Sequence, residues 1–287
     1  MDLLVTGMSL STESEATCPD VDPAGCAEEP LPDHIQNGSL SWVRMALHGS
    51  FGLGEGWIVS GLIPLDFRAL DLSFTRMDGS AYHPPYANDF ETTTQRYGVG
   101  DPELSLSKVL RWPKGWVLAV RAGTRLPAGA VEEENLQLGR IGNVQRQFQL
   151  GTGTVQPIAS MHLLRQYEDW RALVGGNVRL SVWENRYGLK PGSFLGIETS
   201  ISREFGEKTE GLLGLSFNHT EPDQWEDWAD GGTETLEATL GVTRHLGLQW
   251  LIEARAHTML WENRFGVAPA ESTTKKVQMI FGLSWRN

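Results

Sequence analysis

Apolar and polar residues alternate with period two along most of this chain. The clearest stretch is 170–183, where Trp170, Ala172, Val174, Gly176, Val178, Leu180 and Val182 share one parity. Arg171, Leu173, Gly175, Asn177, Arg179 and Ser181 share the other. Successive side chains of a strand point to opposite faces, so this pattern predicts a strand between two different surroundings. The same division recurs in 56–68, 116–126, 250–260 and 276–286. It is weaker in 2–11, 39–49, 101–111, 154–165, 193–205, 211–220 and 234–246. No segment repeats apolar residues at i, i+3, i+4 and i+7 over three turns, so the chain reads as all-β.

The connections sort by length. Short ones at 51–56, 113–115, 166–169, 206–210 and 247–249 alternate with long ones at 12–38, 76–97, 130–149, 219–233 and 264–274, plus a shorter member at 184–192. Outer-membrane barrels have short periplasmic turns and long extracellular loops, whereas a soluble sandwich has no reason to sort its loops this way. Trp57, Trp116, Trp170 and Trp250 stand at or beside the first residue after a short connection. Trp112 precedes one, and Trp285 lies on the same side if twelve strands close. Amphipathic indoles collect at membrane–water interfaces, so these six form the expected aromatic girdle. The expected fold is a single transmembrane antiparallel β-barrel of about 12 strands spanning 1–287. Alternation alone does not say which face is inside. A lipocalin-like barrel puts its apolar parity inward and a membrane barrel puts it outward, and a soluble barrel with unusual loops stays open.

Composition narrows the function classes. With 24 Lys+Arg against 36 Asp+Glu the net charge is −12, which argues against nucleic acid as a partner. The charged fraction of 21% and apolar fraction of 40% are those of a folded chain. Two cysteines exclude a disulfide-dense scaffold and a four-cysteine zinc module, and no HExxH or CxxC is present. No metal or cofactor is therefore expected, although His245 and His257 are placed to approach one another on adjacent strands. Much of the acidic surplus is local. Glu13, Glu15, Asp20, Asp22, Glu28, Glu29 and Asp33 crowd 12–38, Glu221, Asp223, Glu226, Asp227 and Asp230 crowd 219–233, and Glu132, Glu133 and Glu134 adjoin one another. Such loops suit divalent cations or cationic ligands, or are a solvated, self-repelling surface. A partner protein is not identified by any feature of the sequence.

If the polar parity faces a lumen, it carries Arg44, His48, Asp66, Arg68, Glu103, Arg121, Arg125, His162, Arg179, Glu198, Glu237, His245, Glu253, Arg255 and His257. Their mixed signs predict a network of salt bridges and hydrogen bonds across the interior, and rings of charge also select permeating solutes. Arg121, Arg125, Arg179 and Arg255 are the strongest candidates for solute contact, because guanidinium offers a planar fork of donors. An enzyme is the contrasting reading, since some twelve-stranded barrels are phospholipases. His219 falls on the apolar parity near a long loop, but GxSxG is absent and no serine stands in a His-x-Ser arrangement with it. A lumen-filled structural barrel, or a module binding through its loops, is the nearer rival to a channel.

Several stretches also resemble a known family. FGLGEGWIVSGLIP (51–64), YGVGDPELSLSKVLRWPKGWVLAVRAGTRLPAG (97–129), GTGTVQPIASMHL (151–163), RYGLKPGSFLGIETSISREFG (186–206) and the closing VQMIFGLSWRN follow one another in order. They resemble Gram-negative outer-membrane barrels known as phenol-degradation meta-pathway transporters, over nearly the whole chain from about Ser39. The resemblance implies passive passage of a small apolar or aromatic solute across the outer membrane, with lipid around the barrel. It departs from outer-membrane barrels at its last residue, Asn287, where an aromatic residue is common and here is displaced to Trp285. Export implies removal of a signal peptide, and MDLLVTGMSL has neither the positive start nor the apolar length of one. In an exported chain, Cys18 and Cys26 are expected to form a local disulfide in the first long loop.

Overall fold

A computed structural model describes residues 2–16, 34–83, 94–131, 149–206, 208–225, 228–246, 250–265 and 274–285. In chain order its strands are β1 (Asp2–Ala16), β2 (His34–Gly54), β3 (Trp57–Arg76), β4 (Ala81–Tyr82), β5 (Thr94–Val99) and β6 (Glu103–Trp112). There follow β7 (Trp116–Arg125), β8 (Gln156–Tyr167), β9 (Trp170–Arg179), β10 (Leu189–Lys190), β11 (Phe194–Phe205) and β12 (Thr209–Thr220). The last are β13 (Asp223–Trp225), β14 (Trp228–Asp230), β15 (Gly232–Leu246), β16 (Trp250–Phe265) and β17 (Thr274–Trp285).

Twelve long strands close into one antiparallel ring, β1-β2-β3-β6-β7-β8-β9-β11-β12-β15-β16-β17, sealed where β1 pairs with β17. Each of the twelve alternating segments holds one of these strands. The short β10, β13 and β14 form a separate three-stranded sheet at the long-loop end. Strands β5 and β6 both pair with β3, at Leu65–Leu70 and Trp57–Leu62 respectively. They act as one strand broken at 100–102, where the Gly100 N–H donates to the Pro64 carbonyl at 2.9 Å.

Exposure decides which parity faces out. Along β9, Trp170, Ala172 and Val174 are exposed while Arg171, Leu173 and Gly175 are covered. On the same face of neighbouring strands Ile201, Leu213 and Leu240 are exposed by 52%, 59% and 64%. The opposite parity carries Asp66 at 3%, Glu237 at 8% and Thr239 at 7%. A soluble barrel would be arranged the other way round, because a continuous apolar outer surface of this size has no stable contact with water. The apolar face is the outside.

Strand ends depart from the alternating segments where the chain leaves the apolar band. The first long connection is shorter than 12–38, because β1 and β2 stay paired as far as Ala16↔His34. Residues 12–16 and 34–38 are strand, and Cys18 and Cys26 lie outside the described residues. Strands β2 and β3 run for 21 and 20 residues, although about 9–11 suffice to cross a bilayer. Their outer halves have no lipid on one side to enforce alternation. In the other direction, β9 stops at Arg179, and Leu180 leaves the ladder with its N–H bonded to the Pro157 carbonyl at 2.9 Å.

Candidate functional site

The interior at the long-loop half of the barrel is built around Asp66, which β3 turns inward. Its carboxylate accepts from Arg44 Nε at 2.7 Å and Nη2 at 2.8 Å, from Arg68 Nη2 at 3.2 Å, and from Trp42 Nε1 at 3.1 Å. Both guanidiniums also stand over the Trp42 ring, 4.8 and 4.9 Å from its centroid. Arg44 lies directly opposite Asp66, and Trp42 opposite Arg68, in the β2–β3 register. Adjacent inward positions on two paired strands therefore assemble this knot.

A second feature crosses the lumen side of the wall. Arg68 Nη1 donates to the Gln149 carbonyl at 2.8 Å. A Cβ on the inward-facing Gly98 would come within 2.8 Å of Leu150 Cδ1, and one on Gly100 within 3.2 Å of the Leu150 carbonyl. Because Arg68 and Gly98 point inward, 149–151 lies inside the barrel mouth and narrows it. Asp101 anchors this segment. Only 1% exposed, its carboxylate accepts from Gly129 N–H at 2.9 Å, Thr152 N–H at 2.8 Å and Thr152 Oγ1 at 2.8 Å. Asn185 continues the chain of contacts, donating to the Thr152 carbonyl at 3.1 Å and accepting from Tyr187 N–H and Leu189 N–H.

These contacts give the sequence motifs a physical reason. The Gly-Asp of 100–101, the Leu-Pro-x-Gly of 126–129 and the Gly-Thr-Gly of 151–153 converge on one buried carboxylate. Glycine is needed where the segments cross, since a Cβ on Gly151 would lie 2.4 Å from the Gly129 carbonyl oxygen and 2.6 Å from Asp101 Oδ1. Gly151→Ala is expected to cost about 1–3 kcal/mol by overpacking, read as a lower urea midpoint of the barrel. An unchanged midpoint would mean that this crossing relaxes freely. Asp101 is the residue that alternation could not single out, because it merely opens the 101–111 segment, between Gly100 and Pro102.

The other inward residues distribute as follows. Arg121 pairs with Glu103 at 3.2 Å, and His162 with Glu198 at 2.8 Å. Arg255 contacts Glu253, and His257 hydrogen-bonds Thr239 Oγ1 at 2.9 Å. His48 meets Asp2 at 2.9 Å. Arg171, at the short-turn end, holds Glu204 and Glu210. His245 and His257 do not approach one another: they oppose Leu251 and Thr239, six positions apart along β15. Arg125 and Arg179 differ from the other inward arginines in that neither side chain joins an ion pair among the described residues; their buried Nε atoms, like that of Arg121, have no hydrogen-bond partner there.

On the outer wall, Trp57, Trp112, Trp116, Trp170, Trp250 and Trp285 all lie at the short-turn end, exposed by 36–48%. Trp112 opposes Trp116, and Trp250 opposes Trp285. Lys108, Arg165 and Arg203, the direct cross-strand neighbours of Trp57, Trp116 and Trp170, each stand 4.8–5.1 Å over the ring. His219 also faces outward, against Glu234 at 3.3 Å and stacked on Phe265. A shallow concavity of about 460 Å³ in this wall lies over Gly49 and Gly61, between Leu47, Ile63, Leu104 and Leu126. Of the loop acids, Asp223 is buried and accepts the Gly192 N–H at 2.5 Å. Among the described residues no three His, Cys, Asp or Glu gather as metal ligands. Asp20, Asp22, Glu28, Glu29, Asp33, Glu132, Glu133, Glu134, Glu226 and Asp227 lie outside the described residues.

No protein-family model matches the chain, and no curated protein is significantly similar to it. Among solved structures, the chain resembles the COG4313 outer membrane channel from Pseudomonas putida F1 with a TM-score of 0.60 and 12% identity, over 99% of this chain and 95% of that one. The NanC porin aligns over 98% of this chain and 100% of its own at a TM-score of 0.48 and 7% identity. At such identities the likeness to the Pseudomonas channel shows the fold, and the fold of this chain is the twelve-stranded barrel of the outer-membrane kind.

Proposed function

We propose that this barrel sits in the Gram-negative outer membrane and lets a small solute pass by diffusion, with no energy coupling of its own. The observation that carries this reading is a charged, hydrogen-bonded interior enclosed by an apolar exterior and narrowed at one level by 149–151. Diffusing solutes would meet the Asp66 knot and the arginines of β7 and β9 at that level. The resemblance seen in the sequence adds apolar or aromatic molecules as the solute class. The inward segment also favours a second reading, a barrel whose filled lumen conducts nothing.

Reconstitution into planar lipid bilayers separates the two. Discrete single-channel steps are expected, and insertion without any current would establish the filled barrel instead. Heat modifiability on a denaturing gel verifies insertion of a folded barrel in either case.

A further inference from the structure

Among the described residues the charge around the narrow level does not balance. Arg44, Arg68, Arg121, Arg125 and Arg179 share it there with Asp66, Asp101 and Glu103, an excess of two positive charges. The three carboxylates are already engaged. Asp66 holds Arg44, Arg68 and Trp42, Glu103 holds Arg121, and Asp101 is taken by the backbone of Gly129 and by Thr152. Arg125 and Arg179 are the remainder. They are near enough to repel each other; Arg179 also feels the repulsion of Arg44 and the attraction of Glu103 and Asp101, two carboxylates already held by other partners. Both stand close together in register, with Arg125 opposite Gln156 on β8 and Arg179 opposite Ile158 two residues on.

Guanidiniums that repel in a partly desolvated site are stabilised by an anion between them, and the planar fork of each suits a carboxylate. Apolar contact is at hand as well, because Arg179 stands over the inward-facing Phe194 ring at 5.5 Å. We infer that Arg125 and Arg179 form a binding site for the carboxylate of a small organic acid at the narrow level of the lumen. This rests on the channel reading only for the solute's route, since the site itself is defined by equilibrium binding.

The test uses the full chain folded in detergent and titrates benzoate against benzamide, its neutral counterpart of the same shape, by equilibrium dialysis. Benzoate is expected to bind and benzamide to bind at least tenfold more weakly, with the difference shrinking as salt is raised. Arg125→Gln and Arg179→Gln should each weaken benzoate at least tenfold. Arg125→Lys and Arg179→Lys should fall between, because they keep the charge and lose the fork. Arg203→Gln, on the outer wall, should leave binding unchanged. Equal affinity for benzamide, or benzoate binding that survives the double Gln variant, would overturn the site. Reversal potentials across a salt gradient then address passage: an anion preference lost in the double variant supports the site as part of the pore. Current without that preference would overturn the anion assignment and leave the channel standing. Benzoate binding without any current would overturn the channel and leave the site standing.

Discussion

Asp101→Ala is expected to lower the stability of the barrel by about 3 kcal/mol or more. Three donors, Gly129 N–H, Thr152 N–H and Thr152 Oγ1, converge on that carboxylate in a place only 1% exposed. Hydrogen bonds to a charged acceptor contribute about 1.5–3 kcal/mol each, and a buried donor left without an acceptor loses its solvation as well. The ladder hydrogen bonds of β6, β7 and β8 do not depend on Asp101, so the ring should still close. What should change is local. The 126–131 and 149–155 segments lose their common anchor, become cleavable by added protease, and let 149–151 leave the lumen. The variant should therefore show a larger or noisier conductance together with a lower urea midpoint followed by tryptophan fluorescence. A midpoint equal to the parent's would remove Asp101 from its assigned place. Asp101→Asn should be milder, since the amide oxygen still accepts while the amide nitrogen meets donors.

The second large effect concerns the outer face. Val174 lies on β9 four residues from Trp170, is 50% exposed, and sits near the middle of the apolar band. Val174→Arg should cost about 2–4 kcal/mol, the range for a cation at the midplane of a membrane barrel. On the inward parity, Leu173→Arg places the same charge next door in a wet interior and should assemble nearly normally. The comparison is read as the fraction of heat-modifiable, membrane-inserted protein. Two variants that assemble equally well would contradict the assignment of faces, because in a soluble barrel both positions tolerate or reject charge for reasons unrelated to lipid.

The strands were legible because lipid imposes a rule on them. Every residue from Trp170 to Arg179 must suit one of two surroundings, so period two survives in the sequence, and the same holds for the other eleven strands. Legibility fades at the ends of that band. Strand β1 continues to Ala16 and β2 begins at His34, paired through 11–16 and 34–39, where the sequence no longer alternates apolar with polar residues. The narrow level was half legible. Arg44, Asp66 and Arg68 share a parity on neighbouring segments, and their meeting follows from the hairpin register. The role of Asp101 was hidden, since an aspartate surrounded by glycine and proline reads the same whether it is solvated or saturated by backbone donors. Motifs around 100, 128 and 152 are visible as local patterns, but nothing in the linear chain says that all three meet at one carboxylate, Gly129 on Oδ1 and Thr152 on Oδ2. His245 and His257 illustrate the converse: they lie on adjacent strands, yet the β15–β16 register sets them six positions apart.

The seam between β1 and β17 has a kinetic meaning. Asp2 pairs with Ser284, and Leu3 with Leu283. These are the contacts of the ring most distant in sequence, and contacts of that kind are the slowest to form because the loop they close contains every other strand. Every other wall of the ring joins near neighbours along the chain and can zip in turn. Until β17 arrives, β1 presents one edge and β16 another, each a row of unpaired amides able to capture a strand from a second molecule. Productive assembly is thus a race between closing the last edge and finding the wrong partner, and substitutions that weaken β17 should lower the yield of folded barrel more than they lower its stability once closed.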